Sequence, residues 1–382
     1  MSSLYFDTAA TTPLDKKVSD IMAEIQNSIF GNPSSIHQFG QKSRTLIEKS
    51  RRKIATSFNC KPNEIIFTSG GTESNNLVLK GILKPGDHLI TSSYEHPAVI
   101  NAAKQLENNH IEVSYVKPDL NGVVSPDTIQ SEIKPNTKLI SIMYVNNEIG
   151  STNPIEDIIC IAKKCSIKFH SDAVQVVGKQ NLDLNALGAD FLSIAAHKYY
   201  GPKGIGMLFL KSGNSIESII NGGGQEQSVR PGTENVAGIV GMALATEIAT
   251  DNVALNSKKI IKLENLFLDL LNKTEIQYKI NGQSRIPGII NMTFENMLGQ
   301  TLVMKLDMMG IAVSFGSACA SGALKPSKAL LDIGLSEHDA LRTIRISIGK
   351  FHQEDDIKTL VQSLESILNQ KTNVNHENNY VS

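Results

Sequence analysis

Short, continuous apolar runs recur between helical stretches from about residue 45 to 250, and this alternation limits the possible folds more than any other feature. The candidate strands are residues 64–68, 88–92, 139–145, 167–172, 191–195 and 205–210. Several are apolar throughout rather than at every second position, as strands covered on both faces are. Helical patterns fall between them at 73–82, 98–108 and 155–165, the last opened by Asn153-Pro154. Alternating strand and helix predict a layered α/β fold with a mostly parallel sheet. A helical stretch over 236–271 follows the glycines at 222–224, and a mixture of helices and strands follows it. The chain has 382 residues, enough for two cores. Residues 371–382 are polar and asparagine-rich and are expected to be disordered.

Charge and cysteine usage narrow the function classes. Lys and Arg total 37 against 38 for Asp and Glu, so nothing general attracts nucleic acid or an anionic membrane. No apolar run reaches the length of a membrane span. The first residues, Met-Ser-Ser-Leu-Tyr-Phe-Asp, lack the basic-then-apolar pattern of a secretory signal. Cys60, Cys160, Cys165 and Cys319 contain no Cys-x-x-Cys pair, and their spacing suits neither zinc nor a disulfide framework. The expectation is a cytoplasmic protein with free thiols and no resident metal. Cys165, on an apolar helix, is expected in the core.

Three strand ends carry chemistry. Phe191-Leu-Ser-Ile-Ala-Ala-His197-Lys198 runs a buried strand into a lysine, and Tyr-Tyr-Gly-Pro-Lys-Gly then turns the chain. Partial desolvation there lowers an amine's pKa and favours Schiff-base formation. A solvated lysine closing a strand is the plainer alternative. Phe169-His-Ser-Asp172-Ala-Val-Gln175 ends a second strand in a carboxylate. A protonated pyridine nitrogen is a suitable partner for it, and a helix cap is the alternative. Phe67-Thr-Ser-Gly-Gly71-Thr72-Glu-Ser-Asn-Asn leads a strand through glycines into a helix. The free N–H groups of that helix, with the Thr72 hydroxyl, can bind a phosphate. Ligands of open α/β sheets gather at such carboxyl ends.

Other residues fit the same site. His96, in Tyr-Glu-His-Pro, can stack on a pyridine ring, and Asn147 follows the 139–145 strand. Gln175 can hydrogen-bond a phenolic oxygen, and Arg345 can grip a carboxylate bidentately. The loop 222–235, rich in glycine and polar residues, fits either a phosphate contact or a hinge. In Gly316-Ser-Ala-Cys319-Ala-Ser-Gly322 a thiol sits among residues with almost no side chain, which leaves it unshielded.

Together these strings resemble the cysteine desulfurases of the nitrogen-fixation and iron–sulfur type, in the class V aminotransferase group. The resemblance runs from Tyr5 to about Phe351. It implies the pyridoxal-phosphate fold of type I: a large domain with a mostly parallel seven-stranded sheet, residues 15–255, and a smaller α+β domain from 1–14 and 256–370. It implies Lys198 as the Schiff-base lysine, Cys319 as the persulfide cysteine, His96 as the stacking residue and Asp172 as the ring-nitrogen partner. Gly71, Thr72, Asn147, Gln175, Ala195 and His197 carry over as cofactor contacts, and Asn147 and Arg345 as substrate contacts. Thr233 corresponds to a threonine reaching the phosphate of the neighbouring subunit, which implies a homodimer. The implied reaction turns L-cysteine into L-alanine and leaves sulfur on Cys319 for an acceptor such as an iron–sulfur scaffold or tRNA thiolation. Cys319 is also the one candidate for transient ligation of an iron–sulfur cluster.

Three departures stand out. Ala195 replaces a serine that contacts phosphate, removing one hydrogen bond worth ~1–3 kcal/mol. Thr8 stands where asparagine is usual, and Phe315 where serine is common. Alternatives are a selenocysteine lyase, another class V enzyme such as an aminotransferase, and a non-catalytic sulfur-carrier subunit. An aminotransferase has no use for a mobile thiol, and a carrier would be expected to lack Lys198, Asp172 or Cys319.

Overall fold

The computed structural model describes residues 3–316 and 325–369. Cys319 and the tail 371–382 lie outside the described residues. Seven strands form the main sheet, in the order Ile65–Thr68, Gly206–Leu210, Phe191–Ala195, Lys168–Asp172, Thr137–Ser141, His88–Ser92 and Glu112–Val116. All neighbours are parallel except Gly206–Leu210, which is antiparallel to both strands beside it. Every residue of the Ile65–Thr68, His88–Ser92, Phe191–Ala195 and Gly206–Leu210 strands is buried. That is the double-sided covering which the unbroken apolar runs predict.

The sequence reading differs from the sheet in two places. Glu112–Val116 was not expected as a strand; it lies at the sheet edge, and only Val116 is buried. The strand expected at 139–145 is Thr137–Ser141. Beyond Ser141 the chain leaves regular strand geometry. Ile142 and Tyr144 still donate to the His170 and Asp172 carbonyls at 3.1 and 2.9 Å, so their backbone polar groups stay paired. His170 links three adjacent strands, its ring nitrogens 2.8 Å from Ser141 Oγ and 3.0 Å from Ser193 Oγ. Burial pushes its pKa down to about 3, so the ring is neutral at physiological pH.

The helical stretch over 236–271 is two helices, Val236–Asp251 and Val253–Leu271, bent by 68°. The break falls at Asn252, a poor helix former, at φ −110° and ψ 11°. Helix Ile155–Lys164 buries Ile155, Ile158, Ile159 and Ala162. The chain turns off this stripe at Cys165, which is therefore exposed rather than in the core.

A second apolar core lies around a three-stranded antiparallel sheet, ordered Thr343–Ser347, Ile289–Phe294, Tyr278–Asn281. It includes Ile260, Phe267, Leu302, Leu306, Leu360 and Leu364 from three helices, together with Phe6. Three residues later Ala9 belongs to the main core, so the N-terminal segment crosses between the two. Among the described residues no single helix is long and apolar enough to cross a membrane.

Candidate active site

A cleft of about 560 Å³ opens where the carboxyl ends of the central strands face the smaller sheet. Its walls include Gly71, Thr72, His96, Asn147, Asp172, Gln175, Ala195, His197, Lys198 and Arg345, together with Asp7, Glu95, Ser314 and Gly316. Residues far apart in the chain meet here because Gly71, His96, Asp172 and Lys198 end strands or sit in the elements just after them, while Arg345 faces them from the middle of its strand. Thr233 is not among them; it is exposed and borders a separate groove with Phe30.

Asp172 ends the Lys168–Asp172 strand and is buried. Its Oδ1 accepts from the Val174 N–H at 3.0 Å and its Oδ2 from Asn75 Nδ2 at 2.7 Å. Asn75 is fully buried, and its own Oδ1 has no partner among the described residues. Glu95 stands nearby with Oε1 accepting from Ser92 Oγ and the Met143 N–H, both at 2.7 Å. Its Oε2 has no partner among the described residues. Burial, reinforced by the Asp172 charge, raises its pKa to about 8 and favours the neutral acid.

Lys198 closes the short turn after Phe191–Ala195. Its amine donates to the Ala9 and Ala10 carbonyl oxygens, each at 2.7 Å. Burial and then the Arg345 charge push its pKa down to about 8, against the opposing pull of Asp172 and Asp7. An amine so placed is neutral far more often than an ordinary lysine, as a nucleophile or base must be. His96 is the N-cap of helix Pro97–Glu107, and its Nδ1 accepts from the Ala98 N–H at 3.1 Å. That bond puts the proton of the neutral ring on Nε2. Burial lowers the His96 pKa, with Asp172 opposing.

Helix Gly71–Ile82 begins at the cleft with no side-chain cap. Its first intrahelical bond runs from Ser74 N to Gly70 O at 3.1 Å, which leaves the N–H groups of Gly71, Thr72 and Glu73 without intrahelical acceptors. A Cβ at Gly71 would meet Val174 Cγ2 at 2.7 Å, so this close approach needs glycine. Gly71, Thr72 and His197 also border a side opening with Thr11, Lys203 and Gly204. His197 Nδ1 lies 3.1 Å from Thr11 Oγ1, and burial with the Lys198 and Lys203 charges brings its pKa to about 4.

The opposite wall centres on Arg345, in the Thr343–Ser347 strand. Nη2 donates to Asp7 Oδ1 at 2.6 Å and Nη1 to the Asn147 carbonyl at 2.7 Å, while buried Nε has no partner among the described residues. The Arg345 backbone pairs with Ser314, two residues before Gly316. Ser327, just past the 317–324 segment, donates to Glu148. Sequence reasoning missed Asn75, Asp7 and Glu95. Asn75 had one available signal: it follows Gly71 by four residues and so shares that helix face.

A sequence profile described as aminotransferase class-V matches residues 4–360, so the chain is a class-V aminotransferase family member. The cysteine desulfurase IscS of Dictyoglomus turgidum is 43% identical over 371 residues, 96% of this chain and 94% of that protein. A solved NifS-like protein aligns with a TM-score of 0.90 at 35% identity, over 96% of this chain and 99% of the other. SspA, solved in complex with cysteine, aligns with a TM-score of 0.81 at 36% identity, over 92% of this chain and all of the other, 100%. Within its class the chain belongs to the cysteine desulfurases.

Proposed function

We propose that this cysteine desulfurase holds pyridoxal phosphate in the cleft and uses Lys198, Asp172 and Cys319 to take sulfur from L-cysteine. One observation carries the assignment of roles: a depressed amine, a held carboxylate, a bare helix N-terminus and a guanidinium all face one cavity. The donor set fits the cofactor. The helix start at Gly71 and Thr72, with His197 beside it, suits the phosphate, Asp172 the ring nitrogen, Gln175 the ring oxygen, and His96 the ring face. Ala195 contributes no hydroxyl, so backbone donors carry more of the phosphate's charge. When bound, pyridoxal phosphate supplies an electron sink for charge developing at the substrate's α-carbon.

The chain's own groups then have distinct tasks. Lys198 would hold the cofactor, and its amine, with a depressed pKa, would accept the proton from the substrate's α-carbon. Asp172, fixed by Asn75 and the Val174 N–H, keeps the ring nitrogen protonated. Arg345 and Asn147 hold the substrate carboxylate, the Arg345 guanidinium supplying the charge and the planar fork. The Cys319 thiolate attacks the substrate sulfur. A sulfur–sulfur bond forms as the carbon–sulfur bond breaks; the electron pair left on the β-carbon takes up one proton, and the α-carbon regains the proton it lost, to leave L-alanine and the Cys319 persulfide. An ordinary thiol is only about 3% ionised at pH 7, so the cations around the cleft assist this step. Gly316 lies on the cleft wall, and three further residues reach at most ~11 Å along the chain, which supports Cys319 as the nucleophile.

The second apolar core, drawn from Phe6 and from residues between Ile260 and Leu368, supports a division into residues 15–255 and 1–14 with 256–370, while Ala9, Ile289 and Leu330 pack into the main core across that division. Exposed Phe30, Ile36 and Phe39, with Thr233 in the groove bordered by Phe30, support a homodimer in which Thr233 serves the other subunit's phosphate. We assign the enzyme to the cytoplasm, where free thiols at Cys60, Cys160 and Cys165 are stable. Its persulfide goes to an acceptor protein such as an iron–sulfur scaffold. Cys319→Ala tests the central role. The expected variant keeps the bound cofactor's absorbance and loses sulfide release from L-cysteine; full sulfide release by that variant contradicts the assignment.

A further inference from the structure

Lys179 ends the tight turns that follow Asp172, and its amine donates to Gln175 Oε1 at 2.7 Å. Gln175 is its one side-chain partner among the described residues. Gln175 Nε2 in turn donates to the Ala9 carbonyl at 2.8 Å, and that same oxygen accepts from Lys198 at 2.7 Å. The two amines are thus joined through one amide and one carbonyl. Lys179 does not line the main cleft; it borders a small neighbouring cavity of about 20 Å³ with Thr8, Tyr200 and Lys350.

The chemistry of both contacts fixes the amide in one orientation. The Lys179 amine carries N–H donors whether charged or neutral, and the amide oxygen accepts from it. A carbonyl oxygen only accepts, so the amide nitrogen must face Ala9. Nε2 carries a second hydrogen, and Gln175 lines the cleft. With its oxygen bonded to Lys179 and one N–H to Ala9, the remaining N–H is the donor this cleft-lining residue has to offer. Keeping an amine in this place is costly: burial, with the Lys198 and Arg345 charges, pushes its pKa down to about 7. An apolar side chain would avoid that cost, and only the hydrogen bond to Gln175 distinguishes the amine from one.

We propose that Lys179 is a positioning residue that holds the Gln175 amide with its N–H toward the cleft, as a donor to the ring oxygen of the bound cofactor. This rests on the pyridoxal phosphate reading above. The test compares cofactor-loaded wild type with K179M, K179R, Q175A and the double variant Q175A/K179M. The readout is the pH midpoint of the visible absorption of the bound cofactor. An anionic ring oxygen that loses its donor is destabilised, so K179M should raise the midpoint by about one pH unit, the equivalent of one hydrogen bond. Q175A should raise it likewise, the double variant no further than Q175A alone, and K179R, which keeps a donor, should stay near wild type. A K179M midpoint equal to wild type overturns the inference. So does a shift that adds in full to that of Q175A, the sign of a charge effect alone. K179A carries the same expectation should K179M fail to fold. Absence of any cofactor band in wild type would refute the pyridoxal reading itself, and is distinguishable from a wild-type band whose midpoint Lys179 does not influence.

Discussion

The cleft wall that carries Asp172 and Lys198 is the edge of a seven-stranded sheet, whereas the facing wall, with Arg345, Ser314 and Gly316, comes from the smaller three-stranded part. On the sheet side Asp172 and Lys198 are held by neutral donors or acceptors, and the Lys198 ties reach the N-terminal segment that runs between the two cores. Asp172 accepts from the Val174 N–H and Asn75, and Lys198 donates to two carbonyls. On the facing side the ties cross between the two parts of the molecule: Arg345 to Asn147, and Ser327 to Glu148. The first arrangement keeps pKa values and angles fixed. The second lets substrate contacts depend on how the smaller part meets the sheet. The sheet wall should therefore govern the rate of chemistry, and the facing wall the hold on substrate.

Lys198→Ala strikes the sheet wall hardest. Its turnover should fall by ~10³-fold or more, with loss of the lysine-bound cofactor absorbance, since both anchor and proton acceptor are gone. An unchanged spectrum would remove Lys198 from the site. Asn75→Leu keeps a similar volume but removes a hydrogen bond to a buried carboxylate. Steady-state kinetics should show kcat lower by ~10–100-fold, with KM near wild type. A change confined to KM would place Asn75 on the wrong side of the comparison. Arg345→Lys should do the reverse, raising KM for L-cysteine by ~10-fold through loss of the planar fork while kcat changes much less. The smallest effect is a gain: Ala195→Ser restores a hydroxyl at the phosphate end, and equilibrium dialysis should show the cofactor held ~5-fold tighter, one ordinary hydrogen bond's worth. Weaker binding would mean that the buried site around Ala195 has no room for the hydroxyl.

Most of the sheet wall was legible in the sequence because Asp172 closes one strand and Lys198 closes the short turn directly after another. The edge strand Glu112–Val116 was not, since an edge buries one residue and shows little apolar continuity. The break at Asn252 was hidden by apolar residues on both sides of it. Asn75 and Lys179 escaped notice for a different reason. Asn75 sits in the glycine-containing string read for phosphate, Lys179 in no such string, and the parts of both emerge only when the helix and the turn bring them to Asp172 and Gln175. Arg345 was foreseen as a carboxylate grip, but not its pairing with Asp7, 338 residues away in the chain. Thr233 lies apart from its own chain's cleft, in a separate groove.

Incubating the purified, cofactor-loaded enzyme with L-cysteine and a reductant, and quantifying alanine and sulfide in the same samples, probes the central assignment most directly. The two products should appear in equal amounts over many turnovers. Alanine without sulfide, or neither product from a fully loaded enzyme, would contradict it.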